Sequence, residues 1–88
     1  MKFRFSGALL RFVNHRKEIS VEGRTVGAAL KELVAMHPEL KPILFDTQGM
    51  VRRTFHLFLN GNPISAEDLN REVGTNDHVD VTMAIAGG

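Results

Sequence analysis

The sequence ends Ile85-Ala86-Gly87-Gly88, and its chemistry is concentrated in those last atoms. A terminal carboxyl group, with a reference pKa of roughly 3.3 to 3.7, is ionised at neutral pH. A free carboxylate is a poor electrophile, so its carbon must be activated before it can accept a nucleophile. Gly87 and Gly88 have no side chains; they can pass through a slot too narrow for other residues and adopt backbone angles closed to them. A slender carboxylate held on a rigid strand suits a partner enzyme that activates it. Terminal glycines also arise by chance, as expression scars or as trimmed tails, so the rest of the chain must decide between these readings.

The element that would position the tail comes directly before it. Val79, Val81, Met83 and Ile85 alternate with Asp80, Thr82 and Ala84, the period of a strand with one buried face. Three residues beyond Ile85 reach about 10 Å when extended, enough to enter a cleft. Upstream, Lys2 to Phe5 and Lys17 to Glu22 alternate in the same way, with Phe3, Phe5, Ile19 and Val21 inward, and are expected to pair as a wide hairpin. Between them Ala8 to Val13 is apolar without clear periodicity and reads as a loop or single turn packed partly on the core.

Thr25 is a candidate N-cap, and Val26, Ala29, Leu30, Leu33 and Val34 follow at helical spacing until His37-Pro38 ends the run. Residues 39 to 50 are irregular beyond a short turn around Ile43-Leu44-Phe45. Thr54 to Asn60 predicts a third strand with Phe55, Leu57 and Leu59 on one face and Phe58 on the other. Asn60-Gly61 is a turn dipeptide that sends Pro63-Ile64 back as a short strand, Ser65 caps a single turn through Leu69, and Asn76-Asp77 turns the chain into the final strand. Two strands, one helix and two or three strands give a two-layer α+β fold, a single helix covering one sheet face, with the last strand beside the first in mid-sheet.

Eighty-eight residues, 43% hydrophobic and 24% charged, suffice for one domain with a modest core. The N-terminus has no signal-peptide core and no apolar run approaches a membrane span, so a cytoplasmic location with no membrane partner is expected. The absence of cysteine excludes disulfides, thiolate metal sites and a cysteine nucleophile; any sulfur chemistry must be carried elsewhere. The net charge of +1 hides an asymmetry: Lys2, Arg4, Arg11, Arg16, Lys17, Arg24 and Lys31 crowd the first third, while Glu67, Asp68, Glu72, Asp77 and Asp80 crowd the last. No aromatic platform accompanies the basic third, so no nucleic-acid partner is expected.

Three stretches carry a resemblance: Gly23-Arg24-Thr25-Val26-Gly27-Ala28-Ala29-Leu30-Lys31-Glu32-Leu33, Phe58-Leu59-Asn60-Gly61-Asn62-Pro63-Ile64, and Asn76-Asp77-His78-Val79-Asp80-Val81 leading to Ala86-Gly87-Gly88. In this order and spacing the chain resembles the ThiS/MoaD family of sulfur carriers, and its ending is closer to the CysO-like or thio-siderophore type. The resemblance implies a ubiquitin-like β-grasp fold, a mixed four- or five-stranded sheet on one main helix, with residues 1–85 as the domain and 86–88 as a flexible tail. It implies that an E1-like enzyme uses ATP and magnesium to adenylate the Gly88 carboxylate, which a sulfur donor then converts to a thiocarboxylate for an acceptor enzyme. The pathway would be of the cysteine or methionine, thio-siderophore, thiamin or molybdopterin type.

On that reading the chain is a protein cosubstrate, not an enzyme, and binds no cofactor or metal itself. Gly87 lets the end thread into the active site and Ala86 begins the tail. Some relatives are trimmed after Gly-Gly by a metalloprotease. Many have a proline in the segment corresponding to Thr82–Ile85, where this chain has none, which leaves the tail's exit path open. The alternatives are a ubiquitin-like modifier forming isopeptides through Gly88, and a noncatalytic β-grasp interaction module.

Other constellations are weaker. His15, His37, His56 and His78 lack tight ligand spacing, and Ser6, Ser20 and Ser65 lie in no nucleophile motif. Phe58, with Met83 and Ile85, is a candidate partner interface; equally, Phe58 could pack under the irregular segment 39–50. Arg52-Arg53 could flank such a patch or keep a sheet edge soluble.

Overall fold

The computed structural model describes residues 1–52 and 54–83. Strand β1 (Lys2–Phe5) is followed by a 3₁₀ helix over Gly7–Val13, strand β2 (Glu18–Ser20) and helix α1 (Val26–Met36). A 3₁₀ turn (Pro38–Leu40), helix α2 (Lys41–Leu44), strands β3 (Phe55–Leu59) and β4 (Asn62–Ile64), a 3₁₀ helix (Ala66–Asn70) and strand β5 (His78–Met83) complete the order. The five strands form one mixed sheet in the order β2-β1-β5-β3-β4. β1 pairs antiparallel with β2 and parallel with β5, and β3 lies antiparallel to both β5 and β4. The last strand is thus the middle one, as expected from the sequence, and is bonded on both sides.

Alternation fixes the two faces. Phe3, Phe5, Ile19, Phe55, Leu57, Leu59, Val79 and Val81 point to one side and are buried with Val26, Ala29, Leu30 and Leu33 of α1. The helix begins where expected, with Thr25 in extended backbone and its Oγ1 accepting from Ala28 N–H at 3.1 Å. Its approach to β2 is close. At Gly23 a Cβ would stand 2.7 Å from Ala29 N, and φ is +154°, so only glycine fits the link between strand and helix.

Two segments are more regular than the sequence suggested. Gly7–Val13 is a 3₁₀ helix whose Leu9 and Val13 are buried and whose Leu10 and Phe12 are half-buried. Its exposed positions are Gly7, Ala8 and Arg11, of which only the last is polar, so the sequence shows no polar stripe for a period to mark. In 39–50 the short turn proves to be two helical turns in succession, burying Leu40 and Leu44. Pro38 and Pro42 sit in their first turns, where a missing N–H costs nothing. A Phe45–Val51 bridge then closes a loop in which Asp46 Oδ1 accepts from Gln48 N and Met50 N.

Candidate functional site

The candidate site is the length of β5 and the open sheet face beside it. β5 is held along both edges: Lys2, Phe3, Arg4 and Phe5 stand opposite His78, Val79, Asp80 and Val81 on one side, and Leu59 back to Phe55 opposite Val79 to Met83 on the other. Val79 and Val81 are 0% and 1% exposed, so the strand is fixed in depth as well as register. Such a strand cannot slide by one residue without turning its buried valines to water.

Its beginning is pinned by a polar cluster. Asp77 Oδ2 accepts from Gly74 N–H at 2.7 Å and Oδ1 from Asn60 Nδ2 at 3.0 Å, while Asn60 Oδ1 accepts from His78 N–H at 3.1 Å. Asn60 sits at φ +50° and Gly61 at +88°, the left-handed pair that a two-residue hairpin needs. One asparagine therefore both turns β3 into β4 and clamps the start of β5. The Gly74 N–H, and after it the Asn60 amide, hold the Asp77 carboxyl below its ordinary range by bonding its charged form.

On the open face the register lines up one row of side chains across all five strands: Glu18, Arg4, Asp80, Phe58 and Pro63. Arg4 Nε lies 3.4 Å from Glu18 Oε2, and Lys2 Nζ 3.8 Å from Oε1 of the same carboxylate. Phe58 is half-buried in this row and lines a shallow hollow of about 250 Å³ with Arg4, Ser6, Asp80 and Thr82. It does not pack under residues 39–50. That segment covers the other face, where Met50, Val51, Phe55, Leu57, Ile64 and Leu69 line a separate groove.

Of the three residues grouped as an interface in the sequence, Phe58 and Met83 fall on opposite faces. Met83 stands opposite Phe55, which is buried on the helix side, and is itself 45% exposed at the end of β5. Ile85, Ala86, Gly87 and Gly88 lie outside the described residues, as does Arg53. The grouping of Arg4, Asp80 and Pro63 around Phe58 is not visible in the sequence, because only cross-strand register brings them together. Arg52 is exposed, and its Nε donates to the Pro42 carbonyl at 3.1 Å. Among the described residues no group of three or more His, Asp or Glu side chains could hold a metal ion, and no helix is long and apolar enough to cross a membrane.

No protein-family model matches the chain, nor does any curated protein. Solved structures do. SAMP1 from Haloferax volcanii is 25% identical with a TM-score of 0.81, covering 99% of this chain and 97% of its own. CysO of Amycolatopsis orientalis, solved in complex with BexX, is 20% identical with a TM-score of 0.84, covering 99% and 98%. The small archaeal modifier protein 1 of Methanosarcina acetivorans is 21% identical with a TM-score of 0.86, covering 99% and 94%. Motifs, strand order and these likenesses agree: the chain has the ubiquitin-like β-grasp fold and is similar to the small carriers and modifiers of the ThiS/MoaD kind.

Proposed function

We propose that the chain is a cytoplasmic sulfur carrier that reacts at the carboxylate of Gly88, either as the encoded end or after removal of further residues by a metalloprotease. The observation that carries this reading is the position of β5: it is bonded on both edges and buried through Val79 and Val81, and the sequence places Gly88 five residues beyond Met83. A rigid strand followed by a short, slim end is what a partner needs in order to receive a carboxylate without grasping the whole protein. The resemblance to CysO, which is solved in complex with another protein, supports a partner-bound mode of action.

The chemistry runs in three steps, each supplied by a partner. An E1-like enzyme, using ATP and magnesium, joins the Gly88 carboxylate oxygen to the α-phosphorus and releases pyrophosphate. Hydrosulfide from a donor attacks the activated carbon and displaces AMP, leaving a thiocarboxylate. The thiocarboxylate sulfur attacks an activated carbon on the acceptor and displaces its leaving group to form a thioester, and water then cleaves the acyl carbon–sulfur bond, leaving the sulfur on the acceptor as a thiol and restoring the Gly88 carboxylate. The chain contributes the end group, its narrow approach through Ala86 and Gly87, and a docking face on which Phe58 is the apolar contact.

The likeness to small archaeal modifiers favours a second use of the same adenylate: attack by a lysine amine, displacing AMP and forming an isopeptide.

The test is intact mass after incubation with a cognate activating enzyme, ATP, magnesium and a sulfide source. The expected result is the gain of one sulfur for one oxygen, placed on Gly88 by fragmentation, since methionine oxidation adds nearly the same mass. It reverses on hydrolysis and is absent when Gly87 and Gly88 are deleted, with thermal melting to check that the shortened chain is folded. Lysine conjugates in place of the mass gain would establish the modifier; neither product with an active cognate enzyme would leave an interaction module.

A further inference from the structure

The basic third of the sequence is not spread evenly over the fold. Lys2 and Arg4 share Glu18 on the open face. Arg11, Arg16 and Lys17, by contrast, are exposed in a stretch from 11 to 17 that holds no acid, and no described carboxylate lies within ion-pair distance of them.

The backbone there is set hard. Asn14 and His15 both adopt left-handed angles, at φ +56° and +60°. Consecutive non-glycine residues in that region are uncommon, because Cβ crowds the following carbonyl. They are locked by Asn14 N–H and His15 N–H both donating to Leu10 O, and by Arg16 N–H donating to Val13 O. The buried Val13 anchors the loop from below.

Topology decides where this loop stands. β1 and β5 run parallel, so the chain leaves β1 at the end of the sheet where β5 finishes, and the loop returns to β2 at that same end, Phe5 N–H donating to Lys17 O at 2.9 Å. Arg52 stands on the other flank, its carbonyl accepting from Phe55 N–H, and Phe55 is the residue opposite Met83. The 11–17 loop and Arg52 thus belong to the segments that adjoin the two strands flanking β5, at the end where β5 reaches Met83.

We infer that Arg11, Arg16 and Lys17 form a docking rim for an acidic surface on the protein that receives the chain's end. This rests on the carrier reading for the identity of that protein. The occupant is a protein and not a nucleic acid on three grounds. The aromatic in the loop, Phe12, is half-buried, and the Arg11 guanidinium lies 5.8 Å over its ring, so it offers no free stacking surface. The total charge is only +1. The acids of the last third, including Glu72 and Asp77 near the opposite end of the sheet, would repel an extended phosphate backbone. A rim of this kind acts mainly on the rate of encounter, by steering the exit end toward its target.

The experiment compares wild type, the triple variant Arg11→Gln, Arg16→Gln, Lys17→Gln, and a control of equal net charge, Arg24→Gln, Lys31→Gln, Arg71→Gln, all replaced at exposed positions. Thermal melting confirms that each is folded. Association with the activating enzyme is followed by stopped flow at low and high salt. The rim variant should associate about tenfold more slowly at low salt, with the gap closing as salt rises, while the control keeps the wild-type rate. Equal loss in both variants, or none in either, overturns the rim.

If wild type does not associate with the enzyme at all, the carrier reading fails separately. The rim is then judged by binding to poly-L-glutamate against a single-stranded RNA oligonucleotide. Weaker poly-L-glutamate binding in the rim variant alone upholds it; binding that favours RNA, or poly-L-glutamate binding unchanged in the rim variant, overturns it.

Discussion

Asp77 is the residue on which the start of β5 turns. Its carboxylate accepts from Gly74 N–H and Asn60 Nδ2, both of which prefer the charged form, so its pKa in the fold lies below the unfolded value of 3.8. A lowered carboxyl pKa means that folding is favoured above the unfolded value and that this contribution fades as pH falls through the lower, folded one. Asp77→Asn should therefore melt below wild type at neutral pH, and the gap should close on acidification past the ordinary carboxylate range. Urea melts of both proteins across that range check the sign; a gap that widens in acid would contradict it. Because Asn60 joins the same cluster, the two positions should not behave additively.

Among the elements, the link from β2 into α1 is the most demanding. Gly23 has no room for a methyl group against Ala29 N, and the contact lies in backbone, which cannot swing aside as a side chain would. Gly23→Ala is expected to cost about 1–3 kcal/mol by overpacking, read as a lower urea midpoint with an unchanged slope. The glycine belongs to one of the stretches that suggested the fold from sequence, and its physical reason is this approach. The elements legible in the sequence were those with one wet and one dry face: β1, β2, β3, β5 and α1 all announce themselves by period. Gly7–Val13 and 38–44 are not legible as helices, since the exposed face of the first carries Gly7 and Ala8 beside a single charge, Arg11, and the second is two short turns, each with a proline in its first positions, too brief for a period. Phe58 could be placed off-phase from Phe55 and Leu57, but only pairing with Asp80 and Pro63 shows its neighbours. Met83 was read as part of the same patch, although it shares the phase of Val79 and Val81 and so falls on the other side.

At the scale of the whole molecule, the order β2-β1-β5-β3-β4 leaves the β1–β2 and β3–β4 hairpins unpaired with each other until the final strand arrives between them. β1 meets β5 across nearly the full chain, a closure that is slow relative to local pairing. A chain cut after Thr75 should lack the centre of its sheet and show no cooperative unfolding transition by circular dichroism. The same arrangement has a consequence for the chain's own synthesis. β5 follows in sequence every strand it pairs with, so on the ribosome β1–β2 and β3–β4 can form only as separate hairpins, and the sheet closes once His78–Met83 has been made. A nascent chain stalled before His78 would present the bare edges of β1 and β3, the kind of edge on which chains pair with one another.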